Sequence, residues 1–297
     1  MPRHEPSRAS TPMPNQTIAL LHPGEMGAAL GACLTSRGHR VLWTSAGRSA
    51  ASRTRAAAAG LGDAGSLARA VDAADIVLSV CPPHGALDLA EEVAACGFDG
   101  LYVDANAIAP DTTREVGAIV TAAKARFVDG GIIGPPPLKA GLTRLYLSGA
   151  QAQQVADLFA GSHTQASALA GPVGAASALK VCYAAWNKGS IALLATIRTL
   201  AKIEGVDAEL LAEWNISQPE VIKRSESITT QARKAWRWIA EMDEIAASFE
   251  AADLPPGFHQ AAAEIYRRLE PFKDTKDTPA APTMDAITRA LGQGALK

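Results

Sequence analysis

The chain has 297 residues, 48% hydrophobic and 20% charged, with a formal net charge of −2. That length suggests about two domains at ~150 residues each, and so balanced a charge gives no electrostatic reason to expect a nucleic-acid or polyanionic partner. Four cysteines (Cys33, Cys81, Cys96, Cys182) without a C-x-x-C, and six histidines without an H-x-x-x-H, indicate neither a disulfide framework nor a metal site, so a small-molecule enzyme of the reducing cytoplasm is expected.

Residues 1–16, "MPRHEPSRASTPMPNQ", are rich in Pro, Ser and Arg and lack the apolar core of a signal peptide; they are expected to form a disordered tail. From Thr17 to Ala170, apolar or β-branched runs ("TIALL", "VLWT", "DIVLSV", "LYVDAN", "RFVDGG", "RLYLSG") alternate with alanine-rich helical stretches, the signature of a parallel α/β sheet. Between the first two runs, "GEMGAALGACLTSRGHR" predicts a helix closed by Gly38. After Gly171 the spacing is helical throughout, beginning with an unusually long helix from Val173 to Ile203 that is placed to serve as a spine between two domains. The apolar stretch "SIALLATIRTLA" within it is too short to span a bilayer and is interrupted by Arg198. The expected organisation is therefore the tail, a Rossmann-type NAD(P)-binding domain over 17–170, and an all-helical substrate and dimerisation domain over 171–297.

"ALLHPGEMGAAL" carries a dinucleotide loop in which His22 replaces the first glycine of G-x-G-x-x-G. Gly24 stands where backbone must approach the pyrophosphate, and Gly27 where the helix must pass close to the sheet. His22–Pro23 is expected to make the turn with His22 at negative φ, leaving the helix amides free for phosphate. The plain alternative is an ordinary strand-to-helix turn. Cofactor contacts are expected from His22, Pro23, Gly24, Glu25 and Met26. From Met26 through Gly62 there is no acidic residue to hold the ribose 2′-hydroxyl of NAD, whereas Thr44, Ser45 and Arg48 follow the second strand. Hydroxyls plus a guanidinium suit a 2′-phosphate, so NADP(H) is the expected cofactor. Arg53 and Arg55 read as a solvated basic loop.

Several motifs in order resemble the β-hydroxyacid dehydrogenase family, which includes 3-hydroxyisobutyrate and 6-phosphogluconate dehydrogenases and, more distantly, imine reductases. "GEMG" is similar to its glycine loop, "VCPP" (Val80–Pro83) to its loop after the fourth strand, "VDANAIAP" (Val103–Pro110) to its D-x-S/N-T-I-x-P segment, and "GPVGAASALK" (Gly171–Lys180) to its G-x-V-G-x-G-x-x-x-K. The resemblance adds Cys81, Pro82 and Asn106 to the cofactor residues and implies that Lys180 is catalytic. A lysine at a substrate carbonyl hydrogen-bonds the oxygen and donates a proton as hydride arrives; the plain alternative is a surface lysine. The resemblance also implies a homodimer through the helical domain.

The departures from that family are as informative. Its substrate loop D-x-P-V-S-G-G becomes "DGGIIGP" here, bringing Gly131, Ile132 and Ile133 to the substrate, with Ile133 in place of a carboxylate-binding serine. Its asparagine four residues after the lysine becomes Ala184, and its K-D-L lysine becomes Asp243. A simple hydroxy acid is thus not the expected substrate. Tyr183 (a second catalytic candidate) and Asn187 share a helical face with Lys180. Trp214, Trp236, Trp238 and Met242 read as an apolar pocket wall or as core, and Asp243 as a partner for a cationic group or as solvated rim. The leading expectation is an NADPH-dependent carbonyl reductase; the alternatives are an imine reductase, a class that usually has Asp or Tyr at the lysine position, and a non-catalytic nucleotide-binding protein.

Overall fold

A computed structural model describes residues 15–273 and 281–292; nearly all of the expected N-terminal tail lies outside them. The chain divides into two compact units between Lys180 and Val181, inside a helix, whereas the sequence expectation put the division at residue 170.

The first unit contains strands β1 (Thr17–Leu21), β2 (Arg40–Trp43), β3 (Gly62–Asp63), β4 (Ile76–Ser79), β5 (Leu101–Asp104), β6 (Arg126–Ile133), β7 (Thr143–Ser148) and β8 (Thr164–Ala168). They form one sheet in the order β3-β2-β1-β4-β5-β6-β7-β8. Helices α1 (Glu25–Ser36), α2 (Ala50–Ala58), α3 (Leu67–Asp72), α4 (Ala86–Ala95), α5 (Pro110–Ala122) and α6 (Ala152–Leu158) connect them. Both faces are buried, as crossover helices require. Ile18, Leu20, Ile76, Leu78, Leu101 and Val103 enter one apolar cluster while the alternating Ala19, Leu21, Val77 and Tyr102 enter another.

The strand order reverses at β1, with β2 on one side and β4 on the other. Ligands of open α/β sheets bind in the crevice beyond the strand C-termini at such a point. The expected parallel sheet needs one correction, because β7 runs antiparallel to β6. Residues 134–142 join them, and that segment, with its Pro135-Pro136-Pro137 run, is too short to carry the crossover helix of a parallel pair. Two strands give no sequence signal: β3 is two exposed residues, and β8, "TQASA", is mostly exposed.

The second unit is helical, as expected. Helix α7 (Ala175–Ile203) enters it, followed by α8 (Asp207–Ser217), α9 (Pro219–Ala232), α10 (Ile239–Ala251), α11 (Gly257–Arg268) and α12 (Met284–Gly292). Its core gathers Trp214, Ile228, Met242, Ile245 and Tyr266. Polar ties fasten the frame: the Tyr266 hydroxyl donates to the Lys188 carbonyl at 2.6 Å, and Arg198 pairs with Asp207. Among the described residues no helix is long and apolar enough to cross a membrane.

Candidate active site

The loop after β1 is where sequence and structure differ most usefully. His22 adopts φ +69, not the negative φ expected, so it keeps the left-handed backbone of the glycine it replaces, at a steric cost to a residue with a Cβ. Gly27 is indispensable, since a Cβ there would sit 2.5 Å from the His22 carbonyl oxygen. Gly24, the N-cap of α1, has nothing within 4 Å of its missing Cβ and no side chain caps the helix. That open space in front of first-turn amides is what a pyrophosphate requires.

His22, Thr44 and Arg48 are brought together around a cavity of about 160 Å³, closed by Leu21, Ala46, Leu67, Leu89 and Glu92. The His22 imidazole has its Nδ1 buried without a partner. Burial, and secondarily the Arg48 charge, push its pKa down to about 4, so the ring is neutral near pH 7. Among the described residues no carboxylate pairs with Arg48. An orphaned ring nitrogen and a guanidinium thus line one cavity at the switch point, where a dinucleotide-binding sheet receives its ligand.

Ser45 behaves differently from the expectation. It is buried, its amide donates to Asp63 Oδ1 at 3.2 Å, and its carbonyl accepts from Arg53 Nη2 at 3.0 Å. The Ser45 hydroxyl is the main cause holding the Asp63 carboxyl below its usual range, so this hydroxyl serves the loop rather than standing free for phosphate. Sequence reading missed Asp63, which lies one residue beyond the stretch free of acids. It also undervalued Arg55, whose Nε donates to the Pro23 carbonyl at 3.3 Å and ties α2 to the dinucleotide loop.

Further along the strand ends, Asn106 is fully engaged by protein. Its Oδ1 accepts from the Cys81 amide at 2.6 Å, and its Nδ2 donates to Ser79 Oγ at 2.9 Å and Asp104 Oδ2 at 2.8 Å. These bonds make Asn106 a brace that fixes the Cys81–Pro82 loop. Asp104 beneath it is wholly buried, and burial raises its pKa to about 7 against the hydrogen bonds from Asn106. Burial likewise pushes the Cys81 thiol up to about 11, leaving it protonated and unreactive at neutral pH.

Lys180 is set by the next strand. Asp129 on β6 receives the amides of Gly174, Ala176 and Ser177 on Oδ2 at 2.9, 2.9 and 3.1 Å, with the Ser177 hydroxyl on Oδ1 at 2.6 Å. A buried carboxylate thereby caps α7 and suits its dipole. The helix then crosses β6 so closely that a Cβ on Gly131 would lie 2.5 Å from the Ala176 carbonyl oxygen and 3.2 Å from Lys180 Cβ. Lys180, half-buried, is thus laid over Gly131 of β6. Gly131 acts by absence of a side chain, while Ile132 and Ile133, 8% and 4% exposed, are packed in the strand rather than displayed on a substrate loop.

In the second unit the sequence candidates scatter. Tyr183, one turn beyond Lys180 on α7, is 44% exposed. Asn187 Oδ1 accepts from Arg224 Nη2 at 3.1 Å, and the same guanidinium donates to Ser190 Oγ at 2.9 Å. Trp214 and Met242 belong to the core, and Trp238 packs edge-on against Tyr266 at 5.2 Å, whereas Trp236 lies beneath the Arg237 and Lys273 cations. Asp243 pairs with Arg267 at 2.9 Å in an exposed ion pair. Sequence reading did not find the apolar groove of about 770 Å³ beside Trp186, Leu193, Phe258 and the buried His259.

Residues 17–159 match the NAD binding domain of 6-phosphogluconate dehydrogenase, and residues 201–269 match a domain of unknown function, DUF1932. Among solved structures, a conserved protein of unknown function, described as similar to 3-hydroxyacid dehydrogenases, is 27% identical with a TM-score of 0.66, over 86% of this chain and 97% of its own. The 3-hydroxyisobutyrate dehydrogenase of Mycobacterium tuberculosis, solved with L-serine, is 20% identical with a TM-score of 0.70, over 93% and 99%. An imine reductase variant from Myxococcus stipitatus, in complex with NAD+, is 18% identical with a TM-score of 0.53, over 93% and 99%. No curated protein matches the chain.

Proposed function

Because the chain belongs to the β-hydroxyacid and 6-phosphogluconate dehydrogenase-like superfamily, we propose that it is an NADPH-dependent oxidoreductase that reduces a carbonyl group, or oxidises the corresponding alcohol, with Lys180 as proton donor. The observation that carries the reading is the placement of Lys180: a half-buried lysine held over Gly131 by a helix whose first turn is locked to Asp129. A bound nicotinamide supplies the hydride. Lys180 hydrogen-bonds the substrate oxygen, offsets its developing negative charge and passes it a proton, help typically worth about 10²–10⁴ in rate.

The substrate in this reading is not a simple hydroxy acid. At the three positions where the resembling family holds a carboxylate, Ile133 and Ala184 are buried apolar residues and Asp243 is a carboxylate paired with Arg267. None offers a hydroxyl, amide or cation to an acid.

NADPH is favoured over NADH by Arg48 and Thr44 at the end of β2. A homodimer is part of the proposal, supported by the apolar face of α7, where Trp186 is 70%, Leu193 54% and Leu200 60% exposed. The test is NADPH oxidation against a panel of ketones, aldehydes and cyclic imines. Turnover of a ketone or aldehyde is expected; turnover of imines alone would install the imine-reductase reading instead, and none at all a nucleotide-binding role without catalysis.

A further inference from the structure

His22 is anomalous in three independent respects. It holds a left-handed backbone that glycine would adopt without cost. It lines the cavity that Arg48 also lines. Its Nδ1 is buried and has no hydrogen-bond partner, a state that costs free energy unless something completes it. A residue that bears backbone strain, lines a cavity and carries an unsatisfied ring nitrogen points to a ligand that completes it.

We propose that His22 is a specificity-determining residue that reads the 2′-phosphate of the dinucleotide, taking a proton from solvent as the phosphate binds and clamping it together with Arg48. This rests on the reading of the cavity as the seat of a 2′-phosphorylated dinucleotide, and extends it from binding to proton-coupled discrimination.

The electrostatics give the sign. Without ligand the imidazole is neutral, because burial and the neighbouring Arg48 cation both oppose a second positive charge. The other ionisable groups nearby are Glu92 of α4 on the cavity wall, Arg55 of α2 bonded to the Pro23 carbonyl, Glu25 exposed in the first turn of α1, and the protonated Cys81 thiol. Among the described residues no carboxylate bonds to the ring. A phosphate dianion entering between Arg48 and His22 reverses the balance and favours the imidazolium. Binding then takes up a proton, so affinity for NADPH falls as pH rises, whereas affinity for NADH, which brings no 2′-phosphate, does not.

The experiment is a titration of the full-length protein with NADPH and with NADH, followed by fluorescence from pH 6.5 to 8.5, where the phosphate is already largely dianionic. Calorimetry in buffers of different ionisation enthalpy counts the protons. The expected wild-type result is about a tenfold loss of NADPH affinity relative to NADH across that range, with net proton uptake for NADPH only. His22→Gly, which relaxes the backbone, and His22→Asn, which tolerates it, should both abolish the uptake and level the pH dependence. Tight, pH-independent NADPH binding without proton uptake, or uptake that persists in both variants, would overturn the proposal and leave the cavity assignment standing. Failure of the wild type to bind either dinucleotide would overturn the cavity assignment, and the role of His22 with it.

Discussion

The strand ends of the first unit and the helices of the second differ in how their residues are held. In the first, the site is shaped by requirements on the backbone itself: Gly27 against the His22 carbonyl, Gly131 beneath α7, and Gly174, Ala176 and Ser177 presenting amides to Asp129. In the second, two candidate side chains are captured by other side chains, Asn187 by Arg224 and Asp243 by Arg267. A motif encodes the first kind of constraint because close backbone approach dictates the residue type that can stand there, glycine above all. It does not encode the second, because which polar group meets which is decided by helix packing.

The comparison breaks most sharply at Lys180, the last residue of the first unit. Lys180→Ala should lower kcat by about 10²–10⁴, roughly 3 to 5 kcal/mol of barrier, and leave NADPH affinity unchanged by fluorescence titration. An equal loss in affinity would mean that the lysine holds the cofactor instead, and a wild-type kcat would pass the proton to another donor, with Tyr183 first in line.

A reverse signature is expected in the second unit. Trp214→Ala removes a large side chain from the helical core and should destabilise the protein by about 3–5 kcal/mol in denaturant unfolding, with little change in KM for the substrate once the variant is held below its unfolding transition. A large KM change at intact stability would return Trp214 to the pocket wall. Smaller still is the effect of Asp243→Asn, which breaks an exposed pair with Arg267 and should cost no more than about 1 kcal/mol. Selective loss of activity on amine-bearing substrates would restore the role read from the sequence.

The legibility of the molecule follows the same division. The alternation of strand and helix, the close approach that demands glycine at position 27 and the long helix are all readable, because periodicity and glycine placement express backbone geometry directly. The left-handed turn at His22 is not, since a non-glycine residue is expected to avoid that conformation. Nor is the brace of Asn106 on the Cys81 amide, which links positions 25 residues apart. The tie between Ser45 and Asp63 is equally hidden, because Asp63 lies on a strand too short to announce itself.

The central claim is that the cavity at the end of β2 receives a 2′-phosphorylated dinucleotide, and a paired fluorescence titration with NADPH and NADH, on the wild type and on Arg48→Ala, tests it most directly. A guanidinium contact to phosphate is worth roughly 1.5–3 kcal/mol. The wild type should therefore bind NADPH more than tenfold tighter than NADH, and Arg48→Ala should lose most of that preference while its NADH affinity stays the same. Equal affinities in the wild type, or a preference that Arg48→Ala leaves intact, would contradict it.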